Sequence, residues 1–112
     1  MGYKVESIRP FDRQLRRLAK KFPSLVREYG TLLDALEANP GTGTPIGHSC
    51  YKIRMAIASK GAGKRGGARV VTYVQVVNET VFLLAIYDKS EQATLTNQQV
   101  LALLGLLGLL GE

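Results

Sequence analysis

Residues 51–69 read YKIRMAIASKGAGKRGGAR, and the reading of this stretch decides the rest. Its first half alternates. Tyr51, Ile53, Met55 and Ile57 fall on one side of an extended chain, Lys52 and Arg54 on the other. Its second half is a glycine-rich loop carrying Lys60, Lys64 and Arg65, and Arg69 opens the next apolar run. The stretch holds no Asp or Glu. A basic strand feeding a mobile basic loop is suited to a phosphate backbone.

Downstream, residues 68–77 and 80–88 read as strands, with Asn78-Glu79 a tight connection, so they pair as an antiparallel hairpin. The strand before them covers residues 50–59, joined to the second by the loop 60–67. Upstream, GTGTPIGHS (residues 41–49) reads as a loop. Phe11, Leu15, Leu18 and Phe22 recur at helical spacing, with Arg13, Arg16, Arg17, Lys20 and Lys21 on the opposite face. Pro23 separates this helix from a second, whose stripe of Leu25, Val26, Tyr29, Leu32, Leu33 and Leu36 ends at Asn39-Pro40-Gly41. Gly30 marks a point where that helix can kink. Residues 3–8 alternate as a short strand before Pro10.

Near the C-terminus, Thr96 and Gln99 fit a capping box. VLALLGLLGLLGE follows, and its apolar part, residues 100–110, is far shorter than the roughly 20 residues of a spanning helix. No membrane association is expected. With Gly105, Gly108 and Gly111 spaced three apart, the helix needs a surface, either its own sheet or a partner protein. The expected order is therefore β-α-α-β-β-β-α, an α+β fold with an antiparallel sheet, in one domain spanning residues 1–112.

Strand parity sorts the side chains. With Tyr51, Ile53 and Met55 facing the helices, the sets Val70, Thr72, Val74 and Val76, and Phe82, Leu84 and Ile86, are expected to join them. The other face is expected to be open. It would collect Lys52, Arg54, Arg69, Tyr73, Gln75 and Tyr87, ringed by Lys60, Lys64 and Arg65, with Lys89 just past the last strand. Cations there would hold phosphates, and the tyrosine rings would stack on unpaired bases.

The charge balance agrees. Lys plus Arg number 15 against 9 Asp plus Glu, a net +6, and residues 51–69 alone carry an excess of that size. A local excess favours an anionic partner. One cysteine, Cys50, excludes an intrachain disulfide and any multi-cysteine metal site, and reads as a buried thiol of a reducing, cytoplasmic compartment. No apolar signal segment is visible in MGYKVESIRP. Gly61, Gly63 and Gly66 satisfy G-x-G-x-x-G, yet a Val-rich strand follows where a dinucleotide site needs a helix. His48 stands alone, so no zinc site is expected, and its remaining role is that of a proton donor from the loop.

The runs Tyr51-Lys52-Ile53-Arg54, Gly67-Ala68-Arg69-Val70-Val71-Thr72-Tyr73 and Ile86-Tyr87-Asp88-Lys89-Ser90-Glu91 resemble the RelE/HigB-type toxins of bacterial type II toxin–antitoxin modules. More narrowly they resemble the phage-derived Gp49-like HigB branch. The resemblance implies a RelE-like fold. It also implies cleavage of mRNA in the ribosomal A site without metal or other cofactor, by attack of the 2′-hydroxyl on the adjacent phosphate. Neutralisation by a cognate antitoxin protein follows as well. By position, Lys52 and Arg54 match the basic pair of the family, Arg69 the arginine opening the next strand, and Lys89 the cation after the last strand. Tyr87 matches the aromatic or acid–base group more loosely. Lys60, Lys64, Arg65 and Tyr73 would bind RNA. No Tyr or His follows Lys89, which leaves Glu91 as the nearby carboxylate able to act as base. Two other readings share the fold: a ParE-like inhibitor of DNA gyrase, and a non-catalytic RNA-binding or protein-interaction domain.

Overall fold

The computed structural model describes residues 2–61 and 63–108, without the side chains of Lys64 and Arg65. The expected end of the C-terminal helix, at residue 110, and Gly111 lie outside the described residues.

The elements run β1 (Lys4–Ser7), α1 (Arg9–Lys21), α2 (Leu25–Ala38), β2 (Thr44–Gly47), β3 (Cys50–Met55), a 3-10 turn (Ala58–Lys60), the single turn α3 (Gly63–Gly66), β4 (Ala68–Gln75), β5 (Thr80–Asp88) and α4 (Asn97–Gly105). They form a five-stranded sheet in the order β1-β5-β4-β3-β2. Three pairings are antiparallel, but β1 lies parallel to β5, with Lys4 opposite Thr80 and Ser7 opposite Leu83. The helical hairpin α1–α2 carries the chain from β1 at one edge of the sheet to β2 at the other. The fold class is thus α+β, mostly antiparallel.

The stripes seen in the sequence build the first core. Phe11 and Leu18 of α1 and Leu25, Leu32 and Leu36 of α2 are buried against Ile53, Met55, Val70, Val74, Val81, Leu83 and Ile86 of the sheet. α1 starts on Pro10 in its first turn and ends where Phe22 donates its backbone N–H to Leu18. α2 runs unbroken through Gly30.

The second core lies on the opposite face. There Val100 and Leu104 of α4 are buried on Cys50, Val71, Leu84 and Tyr87. α4 opens with the expected capping box: Gln99 N–H donates to Thr96 Oγ1 at 3.1 Å and Thr96 N–H to Gln99 Oε1 at 2.8 Å. The C-terminal helix therefore packs on its own sheet, and the face expected to be open is covered.

Four expectations are corrected. Residues 41–49 contain strand β2, which pairs with β3 at the sheet edge, Thr44 opposite Lys52. Pro45 is tolerated because an edge strand need not donate on its outer side. The connecting turn puts His48 and Ser49 at φ 57° and 61°, the left-handed pair that matches strand twist. Next, the strand after Cys50 stops at Met55 rather than Ser59. The α2 start captures the following turn instead: Ala58 N–H donates to Glu28 Oε2 at 2.6 Å and Ser59 N–H to Ser24 Oγ at 2.9 Å. Likewise β4 stops at Gln75, and Val76 and Val77 sit exposed in the turn with Glu79 at φ 47°.

The fourth correction concerns parity in β5. Thr72 pairs with Leu83 but Val71 pairs with Ala85, so Leu84 is the extra residue of a β-bulge. Before the bulge Val81 and Leu83 face the helical hairpin; after it Ile86 does. Phe82 and Leu84 face α4 instead. One inserted residue inverts which set lies inside.

Candidate nucleic-acid interface

The registers set Arg54 opposite Arg69, and Arg69 opposite Tyr87, so these three form one cross-strand row. The neighbouring row is Lys52, Val71 and Ala85. Opposed residues share a face, and this face is the one α4 covers. Gly67 allows the arrangement: a methyl group there would overlap the Met55 carbonyl, so only glycine lets β4 start this close to the end of β3.

Covering divides the row by accessibility. Arg54, at the β3 end, is exposed, and Lys52 is half-buried. Lys52 lines a cavity of about 160 Å³ with Ile46, Val71, Thr94, Leu95, Asn97 and Val100. Arg69 retains only 4% exposure and Tyr87 5%. Arg69 Nη1 donates to the Ala68 carbonyl at 3.2 Å. The buried Tyr87 hydroxyl has no hydrogen-bond partner of good geometry among the described residues. Burial pushes its pKa up, and Thr94, Arg69 and the Leu95 backbone offset only part of that rise. The physical reason for the covering is the apolar content of this face. Val71 and Leu84 would be left in water if α4 and Leu95 did not lie on them.

Lys60 sits in an internal ion pair. Its ammonium meets Asp88 Oδ1 and lies 5.6 Å from the centre of the Phe22 ring. Asp88 is fully buried and also accepts from Ser90 N–H at 3.0 Å and Ser90 Oγ at 2.9 Å. Burial alone would raise the Asp88 pKa; Lys60 and Ser90 outweigh it and hold the carboxyl below its ordinary value. Tyr73 is half-buried, stacked on Phe82 with ring centroids 6.2 Å apart. Lys89 is exposed, and its backbone N–H donates to the Gly67 carbonyl at 3.1 Å. Lys64 and Arg65 lie in α3, next to this rim; their side chains are outside the described residues.

Two groups given roles by the sequence are drawn elsewhere. His48 is exposed in the β2–β3 turn. Glu91 is held by Arg17 in a bidentate pair, 3.2 and 2.8 Å, and by Lys21 at 3.5 Å. The Arg17 hydrogen bond above all lowers its pKa, which makes Glu91 a weak proton acceptor. Sequence reasoning missed the Lys60–Asp88 pair, because only the folded chain brings residues 28 positions apart together. Among the described residues, no three His, Cys, Asp or Glu side chains gather where they could hold a metal ion, and no helix is long and apolar enough to cross a membrane.

The arrangement is a mixed sheet with a helical hairpin on one face and a short helix on the other, and this is the fold of the RelE toxins. The free, doubly substituted RelE toxin of E. coli superposes with a TM-score of 0.60 at 18% identity, over 83% of this chain and 90% of that one. The isolated E. coli RelE toxin gives 0.57 at 17% identity, over 93% and 98%. The RelBE2 toxin–antitoxin complex of Mycobacterium tuberculosis gives 0.57 at 17% identity, over 79% and 92%. No protein-family model matches the sequence.

Proposed function

We propose that this chain is the toxin of a type II toxin–antitoxin module of the HigB branch, an endoribonuclease that cuts mRNA in the ribosomal A site in the cytoplasm. The observation that carries the reading is the row Arg54–Arg69–Tyr87 beside Lys52, four groups from three strands on one face of a RelE fold. The likeness to a toxin solved with its antitoxin supports a cognate antitoxin partner.

In this reading Lys52, Arg54, Arg69 and Lys89 balance the charge that develops on phosphate. The 2′-hydroxyl gives up its proton to a solvent water and its oxygen bonds to the adjacent phosphorus. The bond to the 5′-oxygen breaks, that oxygen takes up a proton, and a cyclic phosphate remains. Tyr87 keeps its proton at neutral pH and is the hydroxyl acid of the row, a weaker donor than a free tyrosine because burial raises its pKa. Lys64 and Arg65 steer the RNA, Tyr73 offers a ring to a base, and Lys60 assists once released from Asp88. RNA reaches Arg69 and Tyr87 when the segment over them shifts. The reaction uses no metal in this reading.

Induced expression should arrest growth and shorten translated messages in primer extension. Lys52→Ala with Arg54→Ala should slow cleavage by about 100-fold or more. Full-length transcripts under arrest would remove the nuclease. The burial of Arg69 and Tyr87 favours one further reading, a RelE fold without RNA chemistry, either a ParE-like gyrase inhibitor or a binding domain. Inhibition of gyrase supercoiling with messages intact would select the former.

A further inference from the structure

A line of exposed cations lies away from the sheet face, on α1. Arg9, Arg13, Arg16 and Lys20 are all exposed, and none makes an ion pair or side-chain hydrogen bond among the described residues. Their spacing of four, three and four residues keeps them within about 60° of arc, in a line roughly 16 Å long. Arg17 and Lys21 flank the line and are already engaged by Glu91. The opposite side of α1 is spent on the core through Phe11 and Leu18.

A solvated helix face ordinarily interleaves acids with bases, and like charges at these spacings repel. Here Asp12 is the one acid of the helix, and it is bonded to Ser7 Oγ at 2.5 Å. Three of the four cations are arginines, which grip phosphate in a bidentate manner. Helix α1 itself presents no exposed aromatic or large apolar group of the kind that anchors a protein interface, and the exposed Leu106 beside Arg9 and Arg13 is a single such side chain. With its apolar side buried in the protein, α1 has nothing to insert into a lipid surface.

We propose that the α1 line is a second RNA-binding surface that holds the phosphate backbone of folded RNA, separate from the sheet face that would meet the message. The inference rests on the RNA reading above. It assigns α1 to docking: association and its salt dependence come from the helix, strand cleavage from the sheet.

The test titrates the full chain against a short RNA hairpin and against mRNA-programmed ribosomes from roughly 50 to 200 mM KCl. Arg13→Gln, Arg16→Gln and Lys20→Gln combined should weaken both complexes by about tenfold or more and reduce the salt slope by about 2 to 3. Arg13→Lys with Arg16→Lys should keep the slope, since the charge remains. Single-turnover cleavage at saturating protein should be unchanged in the glutamine variant. Its melting curve should match the parent or exceed it, because glutamine is a comparable helix former and repulsion is relieved. Unchanged affinity and slope would overturn the proposal, as would binding to polyglutamate in place of the hairpin. If the parent chain cleaves no message, the nuclease reading falls while the hairpin titration still decides the helix.

Discussion

The two faces of the sheet are both apolar at their centres, yet they are closed by different means. On one face α1 and α2, of 13 and 14 residues, bury Phe11, Leu18, Leu25 and Leu36 completely. On the other a single nine-residue helix sets Val100 and Leu104 over a surface that also contains Lys52, Arg69 and Tyr87. The first face is a structural core, apolar apart from the buried Thr72 hydroxyl and, at its rim, the Asp88 carboxylate paired with Lys60. The second holds the Lys52 and Arg69 charges, covered by a short helix that ends at Gly105. In the proposed reading, stability and function are thereby separated across one sheet.

Cavity-forming substitutions put the largest strain on that contrast. Leu18→Ala should cost about 4 kcal/mol in denaturant unfolding, while Leu104→Ala should cost about 2, since α4 can settle into the space left. Equal losses would mean that α4 is as integral as the hairpin. Lys60→Ala removes the partner of a buried carboxylate at the rim of the first face, beside Phe22, and should cost about 3 kcal/mol. The pH dependence has a definite sign. Asp88 has a depressed pKa in the folded chain, so its stabilisation is complete above its unfolded value, about 3.9, and is lost as pH falls through the folded value. In Lys60→Ala, acid lability should therefore move to higher pH; an unchanged acid transition would show that the pair contributes nothing. The smallest effect is expected at the surface. Glu91→Gln frees Arg17 and Lys21 and should change stability by at most about 0.5 kcal/mol, less in high salt. A larger loss would make the pair a strut between α1 and the chain after β5.

Much of this was legible in the residues. Helical spacing marked both members of the hairpin, Thr96 and Gln99 marked the start of α4, and alternation put Tyr51, Ile53 and Met55 of β3 and Val70 and Val74 of β4 on the correct face. Strand β2 was not legible, because Pro45 and two flanking glycines conceal a strand that exists only by pairing with β3. In β5 both faces are apolar, so alternation carried no signal and the bulge at Leu84 went unseen. The grouping of Lys52, Arg54, Arg69 and Tyr87 on one face agrees with the registers, but its openness does not. Residues 92–108 lie too far along the chain for local periodicity to say what they cover.

Local patterns thus determined the long helices, the cap of α4, the β3–β4–β5 meander and the concentration of positive charge, because these depend on neighbours within a few residues. Tertiary structure alone decided that β1 runs parallel to β5, that Lys60 is paired with Asp88, and that Arg69 and Tyr87 lie beneath α4. Each of those depends on burying apolar surface or a charge between segments far apart in sequence, and that free energy exists only once the chain has closed on itself.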